Sequence, residues 1–199
     1  MTERGPIGAV VLAAGGSTRL GRPKQLLVHE GEALVHRAAR LARAAVDGPV
    51  VVVLGAEAAT VGKALGRLEV EPWLHPNWRE GMGSSLAAGI ARLSQDTGAV
   101  GGALLLLVDQ PFIHLPYPAS LVARFRANDV DLAATRYGPE EDSTAGPPAV
   151  FARSLFPRLM ALSGDHGARS LLIDPSLPRV FLVHEPAQID WDLPADVGS

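Results

Sequence analysis

The sequence predicts an α/β protein with a mainly parallel sheet covered by helices on both faces, and three observations carry that prediction. Short runs rich in Val, Ile and Leu recur along the chain, and segments with helical spacing separate them. Strands this continuously apolar are buried on both faces, as in a parallel sheet, and parallel neighbours need a helical crossover. The third observation is bulk: 199 residues, 47% of them apolar and 20% charged, suit one domain with one sizeable core and exclude a disordered or fibrous chain. Residues 1–199 are therefore read as a single domain.

The strands are expected at Ile7 to Leu12, Val50 to Leu54, Ala103 to Val108, Leu132 to Thr135 and Val180 to Val183, with Val70 to Leu74 as a further candidate. The clearest helix is "ALVHRAARLARAAV" at 33–46, where Leu34, Ala38, Leu41 and Ala45 share a face while Arg37, Arg40 and Arg43 fall mostly elsewhere. Further helices are expected at 57–66, 84–94, 118–127 and 153–162. "RYGPEEDSTAGPPAVF" clusters Gly, Pro, Asp and Ser and reads as a surface loop or hairpin.

Several function classes are disfavoured at once. A net charge of -3 argues against a nucleic-acid or anionic-membrane partner. The absence of cysteine removes disulfides, thiolate metal sites and thiol nucleophiles, and fits a reducing, cytoplasmic setting. No apolar run reaches the roughly 18 residues of a membrane helix. The six histidines lack metal-binding spacing and are read as non-ligands.

In open parallel sheets ligands sit at the carboxyl ends of strands, so the residues that follow each strand matter most. After the first strand comes "LAAGGSTRLGRPKQLL", three glycines and three cations within residues 12–27. It is neither the G-x-G-x-x-G dinucleotide fingerprint nor the G-x-x-x-x-G-K-[ST] P-loop. Gly15, Gly16 and Ser17 allow a phosphate to approach the backbone, and Arg19, Arg22 and Lys24 supply charge that a polyphosphate would neutralise. The same pattern fits a glycine turn carrying solvated arginines.

"ALLLLVDQPF" runs an apolar strand into Asp109, a costly place for a carboxylate unless it is paired. A Mg2+ ion that keeps water and phosphate ligands is one partner, and a turn-capping role ahead of Pro111 is the other. "QIDWDLPADV" adds Asp190, Asp192 and Asp196, with Asp192 or Asp196 suited to starting a short helix and Asp190 the freer candidate for a shared metal. "NWREGMGSSLAAGI" sets Gly81, Gly83, Ser84 and Ser85 ahead of a helix, as N-cap or as polar ligand contacts. "SGDHGARSLL" reads as a helix start in which Arg169 is a candidate for an acceptor phosphate. Trp73, Trp78 and Trp191 are read as core or pocket walls.

Taken in order, "LAAGGSTRLGRPKQLL", "EGMGSSLAAGI", "LLLVDQPF", "GPPAVF", "LSGDHGARSLL" and "DWDLPADV" resemble the MobA-like nucleotidyltransferases over nearly the whole chain, most closely the molybdenum cofactor cytidylyltransferase branch. The resemblance implies a Rossmann-like three-layer sandwich of the nucleotide-diphospho-sugar transferase type. It implies Mg2+-dependent transfer of a nucleotidyl group from an NTP to a phosphorylated acceptor, with release of pyrophosphate. By position, Ala13, Ala14, Gly15, Gly16 and Ser17 would hold phosphate, and Arg19 and Lys24 would act on the triphosphate. Gly83, Ser84 and Ser85 would lie beside the base, Asp109 and Asp190 would hold the metal, and Arg169 would meet the acceptor. "LAAG" resembles the cytidylyltransferase branch, whereas the guanylyltransferase branch usually reads "LAGG", so CTP is the expected nucleotide. Molybdopterin is the expected acceptor and a molybdoenzyme or its maturation factor a further partner.

Two departures fall on the acceptor side: Gly146-Pro147-Pro148 where the family commonly has Gly-His-Pro, and "DWDLP" where it commonly has D-I-D-T-P. A sugar-phosphate or methylerythritol-phosphate nucleotidyltransferase, and a non-catalytic nucleotide-binding maturation module, remain the alternative readings.

Overall fold

The computed structural model describes residues 5–18, 20–95, 100–139 and 143–192. Its centre is strand β1 (Ile7–Ala13), every residue of which is buried. β1 pairs in parallel with β4 (Val50–Leu54) on one side and β6 (Gly102–Leu107) on the other. The all-apolar composition of these three strands follows from that position: Ala9 and Val11 pack into one layer, and Val10 and Leu12 into the other.

The sheet continues outward through β5 (Glu71–Leu74) at one edge and through β8 (Ala145–Ala152), β7 (Leu132–Arg136) and β9 (Arg179–Val183) at the other. The order is β5-β4-β1-β6-β8-β7-β9, with β8 antiparallel to both neighbours. Helices α1 (Leu34–Ala45) and α4 (Tyr117–Ala127) supply one outer layer. Helices α3 (Met82–Gln95) and α5 (Phe156–Met160) supply the other, and α2 (Ala58–Ala64) follows β4. A two-stranded ribbon, β2 (Val28–His29) with β3 (Glu32–Ala33), had no signal in the sequence.

"GPPAVF" is the main local departure from the sequence reading. The stretch forms a hairpin with β7, as one of the two readings allowed, but its second arm is a buried strand at the heart of the sheet. Proline has no N–H to give a ladder and is tolerated where pairing is interrupted. Here the β7 pairing jumps from Ala149 to Gly146, passing over Pro147 and Pro148. Side chains satisfy the carbonyls left behind: Gln110 Nε2 and Tyr137 Oη donate to Pro147 O at 3.0 and 2.8 Å, and Thr135 Oγ1 donates to Pro148 O at 2.7 Å.

Arg37 also differs from expectation, being only 5% exposed on α1. Its guanidinium donates to Pro111 O at 3.1 Å and Ile113 O at 3.3 Å, pairs with Glu30 Oε2 at 3.0 Å, and lies 2.8 Å from His114 Nδ1. A planar group with several donors can satisfy that many acceptors at once, and the result anchors the loop after Asp109 to α1.

The register decides where a ligand can sit. Ala13 pairs with Leu54, and Leu12 pairs with Leu107, so the central strands end together. The loops at Ala14 to Thr18, Gly55 and Val108 to Gln110 therefore share one rim.

Candidate functional site

At that rim the first loop is held by its carbonyls. Gln25, 1% exposed, donates through Nε2 to Ala13 O at 3.0 Å and Gly15 O at 2.7 Å, while Ala56 N–H donates to Ala14 O at 3.0 Å. Ser17 adopts a left-handed φ of 51° and folds the chain back: its hydroxyl accepts the Lys24 N–H at 3.0 Å, and its carbonyl accepts the N–H groups of Leu20 and Gly21. The N–H groups of Gly15 and Gly16 make no hydrogen bond to a described residue. Carbonyls tied inward and amides left over are what a backbone anion site requires.

Gly15 and Gly16 line a cavity of about 430 Å3 together with Lys24, Asp109, Trp78, Arg79, Met82, Ser85 and Asp165. A Cβ on Gly16 would stand 3.1 Å from the Trp78 ring, closer than ordinary van der Waals contact, so the bare backbone lets the loop and the indole pack without displacing the ring. Arg79 lies over the same ring at 4.4 Å. At the start of α3, Gly81 has φ +106°, and a Cβ there would lie 2.4 Å from the Gly164 backbone. Gly83 N–H donates to Gly164 O at 2.8 Å. These contacts bring "EGMGSS" and "SGDHG" together, distant in the chain but adjacent on the rim.

The charged centre is compact. Lys24 Nζ pairs with Asp109 Oδ2 and lies 2.8 Å from Asp192 Oδ1. Burial alone would lower the lysine pKa; the charges and hydrogen bonds of Asp109 and Asp192 outweigh it and hold the pKa above its ordinary value. Lys24 therefore stays an ammonium. Asp192 reaches this position because Trp191, 3% exposed, packs with Leu20, Leu27 and Leu34, and the Trp191 backbone N–H donates to Asp109 O at 2.9 Å.

Asp109 Oδ1 is buried and has no hydrogen-bond partner among the described residues. An unpaired carboxylate oxygen in the interior is costly. Together with Asp192 on the same cation, it is a donor set that fits a hard divalent ion. No group of three or more His, Asp or Glu side chains is poised for a metal among the described residues. Water and phosphate oxygens would then complete the shell, as Mg2+ commonly requires.

The site residues expected from sequence are distributed as follows. Ala14, Gly15, Gly16, Lys24, Ser85 and Asp109 meet in the cavity, and Ala13 lies beneath it as the last residue of β1. Ser17 serves the loop's own fold. Ser84 is directed at His75, with Oγ 2.9 Å from Nε2 and 3.3 Å from Gly81 O. Gly83 contributes the backbone bond to Gly164. Arg19 and Asp196 lie outside the described residues.

Asp190 and Arg169 line an adjoining cavity of about 330 Å3, with Tyr137, Gly146, Pro147 and His166. It shares Leu12, Met82, Leu107 and Asp165 with the first. Burial pushes the Tyr137 phenol up, and the charge of Asp190 adds to the effect. Gln25, Arg79 and Gln110 were missed in the sequence, whereas Trp78 lines the cavity as the pocket wall it was read to be.

Comparison with known proteins agrees with this geometry. The model of the MobA-like NTP transferase domain matches residues 9–180. The chain is 35% identical over 190 residues to the nicotine blue oxidoreductase of Paenarthrobacter nicotinovorans, covering 92% of this chain and 85% of that one. Among solved structures it is similar to Rv0371c from Mycobacterium tuberculosis H37Rv, with a TM-score of 0.81 and 30% identity over 98% of this chain and 96% of that one. It is also similar to the manganese complex of Rv0371c, with a TM-score of 0.73 and 28% identity over 90% and 88% of the two chains. The expected fold, a mainly parallel three-layer sandwich of the nucleotide-diphospho-sugar transferase type, is borne out. With the match running through the glycine loop, the Asp109 strand and the far edge of the sheet, the chain belongs to the MobA-like NTP transferase family.

Proposed function

We propose that this protein transfers a nucleotidyl group from an NTP, CTP preferred, to a phosphorylated acceptor of the molybdopterin class and releases pyrophosphate. The observation that carries the reading is the pairing of spare amides at Gly15 and Gly16 with the Lys24 ammonium and the Asp109 carboxylate across one cavity, with Asp192 on the same ammonium. That arrangement suits a triphosphate and its metal.

In this reading an acceptor phosphate oxygen attacks the α phosphorus in line with the departing pyrophosphate. No general base is needed, because a phosphate is already ionised near neutral pH. The loop amides and the Lys24 ammonium stabilise the pyrophosphate as its charge grows. Arg19 is assigned to the same task. Trp78 and Ser85 border the cavity as walls for the nucleoside. Arg169 and Asp190 border the adjoining cavity, which we assign to the acceptor.

Asp109 would be the principal ligand of a divalent cation, Mg2+ in the cell, and Asp192 is the second carboxylate favoured by its approach to Lys24, ahead of Asp190. When bound, that cation would neutralise triphosphate charge and polarise the α phosphate. The manganese complex of Rv0371c supports a divalent ion. No described helix is long and apolar enough to cross a membrane. A cytoplasmic role beside a molybdoenzyme or its maturation factor is part of the same proposal.

The test is pyrophosphate release from CTP, GTP, UTP and ATP with Mg2+ or Mn2+ across a panel of phosphorylated acceptors. CTP-selective release supports the reading; nucleotide binding without release across the whole panel would replace it with a binding module. The name of the Paenarthrobacter relative favours a second reading, electron transfer to a small acceptor. Consumption of a reduced nicotinamide donor in the absence of any NTP would support it.

A further inference from the structure

Trp78 and Arg79 sit on the short 3-10 turn Trp78–Glu80 that leads into α3. The indole is wedged between two loops: a Cβ on Gly16, after β1, would stand 3.1 Å from it, and one on Gly55, after β4, only 2.5 Å. Its place on the rim is therefore set by backbone on two sides. Arg79 lays its guanidinium over the ring at 4.4 Å. A firmly seated platform thus orients an exposed cation.

Stacking uses the flat face of a guanidinium and leaves its forked N–H edge available. That edge makes no hydrogen bond or ion pair with a described residue, although Asp109 and Asp165 line the same cavity. Lys24, by contrast, already holds Asp109 and Asp192. The part of the indole that meets Gly16 is its benzo edge, Cζ3 and Cη2. The guanidinium and the spare Gly16 amide therefore flank one and the same ring.

We propose that Arg79 is a phosphate-binding residue, its N–H fork taking the β or γ phosphate of the nucleoside triphosphate whose charge the Gly15 and Gly16 amides also meet. The proposal rests on the nucleotidyltransferase reading and deepens it. A guanidinium matches two phosphate oxygens at once, and a triphosphate carries more charge than one ammonium shared between two carboxylates can neutralise. Arg79 is then the residue that distinguishes a triphosphate from a monophosphate, because a monophosphate lacks the group it holds. Trp78 joins the nucleoside wall to the phosphate loop and carries that cation at the join.

The test is isothermal titration calorimetry of the full chain, wild type and Arg79→Gln, with CTP and CMP in the presence of Mg2+ and with inorganic tripolyphosphate alone. Because Arg79 is exposed, the variant should keep the parental Tm. It should bind CTP and tripolyphosphate about tenfold more weakly or worse, the loss expected for one charge-assisted contact, and CMP less than about twofold more weakly. Arg79→Lys, which keeps the charge but loses the fork, should fall between the two. Equal losses for CTP and CMP, with tripolyphosphate unaffected, would place Arg79 on the nucleoside and overturn the proposal. Unchanged affinity of Arg79→Gln for CTP and tripolyphosphate would overturn it as well. A wild type that binds tripolyphosphate but no CTP removes the nucleotidyltransferase reading while the tripolyphosphate arm still decides the role of Arg79; binding of neither overturns both.

Discussion

Replacing Lys24 by Met tests the charged centre in two independent ways. The lysine side chain is 17% exposed and that of Asp109 13% exposed, so their pairing is largely screened from water. Deleting one member of a buried pair commonly costs about 3–5 kcal/mol, because the other charge is stranded. Partial exposure of Asp192 and residual hydration at Asp109 reduce this to about 2–3 kcal/mol here. For a chain of this length each kcal/mol moves Tm by roughly 2–4 °C, so a drop of roughly 4–12 °C is expected by differential scanning calorimetry. Adding Asp109→Asn to Lys24→Met should recover part of that loss, since it removes the stranded charge. Divalent ions should stabilise the Lys24→Met variant more than the wild type, because the ammonium no longer competes for the carboxylates. Turnover should fall on the order of 100-fold, as when one preorganised charge-stabilising donor is lost. A variant with parental Tm and parental pyrophosphate release would refute the reasoning on both counts.

Further outcomes follow from the surrounding contacts. Gln25→Ala releases the carbonyls of Ala13 and Gly15 and should cost about 2 kcal/mol in denaturant unfolding, with NTP affinity about tenfold weaker; unaltered affinity would show that the loop holds its shape without Gln25. Gly81→Ala places a Cβ against the Gly164 backbone at a φ of +106° and should destabilise by about 2 kcal/mol or more; a neutral effect would mean that the two loops part readily. Burial and the nearby His114 hold the His184 pKa below its ordinary value of 6.5. The folded state then binds fewer protons than the unfolded one in that window, so the stabilisation is complete above about pH 6.5 and is lost as pH falls through the folded pKa. His184→Phe, which can keep the stack on Tyr117 at 4.0 Å, should flatten the decline in Tm between about pH 7 and 5, and an equally steep decline would assign it elsewhere.

What the sequence revealed and concealed has a physical pattern. The central strands were legible because burial on both faces leaves no polar residue to interrupt them, and the loop after β1 and Asp109 after β6 were legible because they follow such strands directly. β8 was concealed because Gly146-Pro147-Pro148 signals a turn; within the strand Gln110, Thr135 and Tyr137, from elsewhere in the chain, donate to the carbonyls of Pro147 and Pro148. The same holds for Gln25, whose neighbours give no hint that its amide secures the loop after β1. Asp192 and Asp190 could not be ranked from sequence, since their two-residue spacing puts Asp192 on Lys24 and Asp190 on the adjoining cavity only once Trp191 is seated among Leu20, Leu27 and Leu34. Ser84 and Ser85 are separated by helix phase in the same way.

The central claim is that the loop after β1 and the carboxylate after β6 together hold a nucleoside triphosphate and a divalent cation. Mn2+ binding followed by the loss of its free-ion EPR signal measures this directly. With CTP present, the wild type should bind Mn2+ stoichiometrically, and Asp109→Asn should weaken that binding at least about tenfold, as expected when a charged ligand becomes a neutral one. Equal Mn2+ and CTP binding by the wild type and Asp109→Asn would contradict the account.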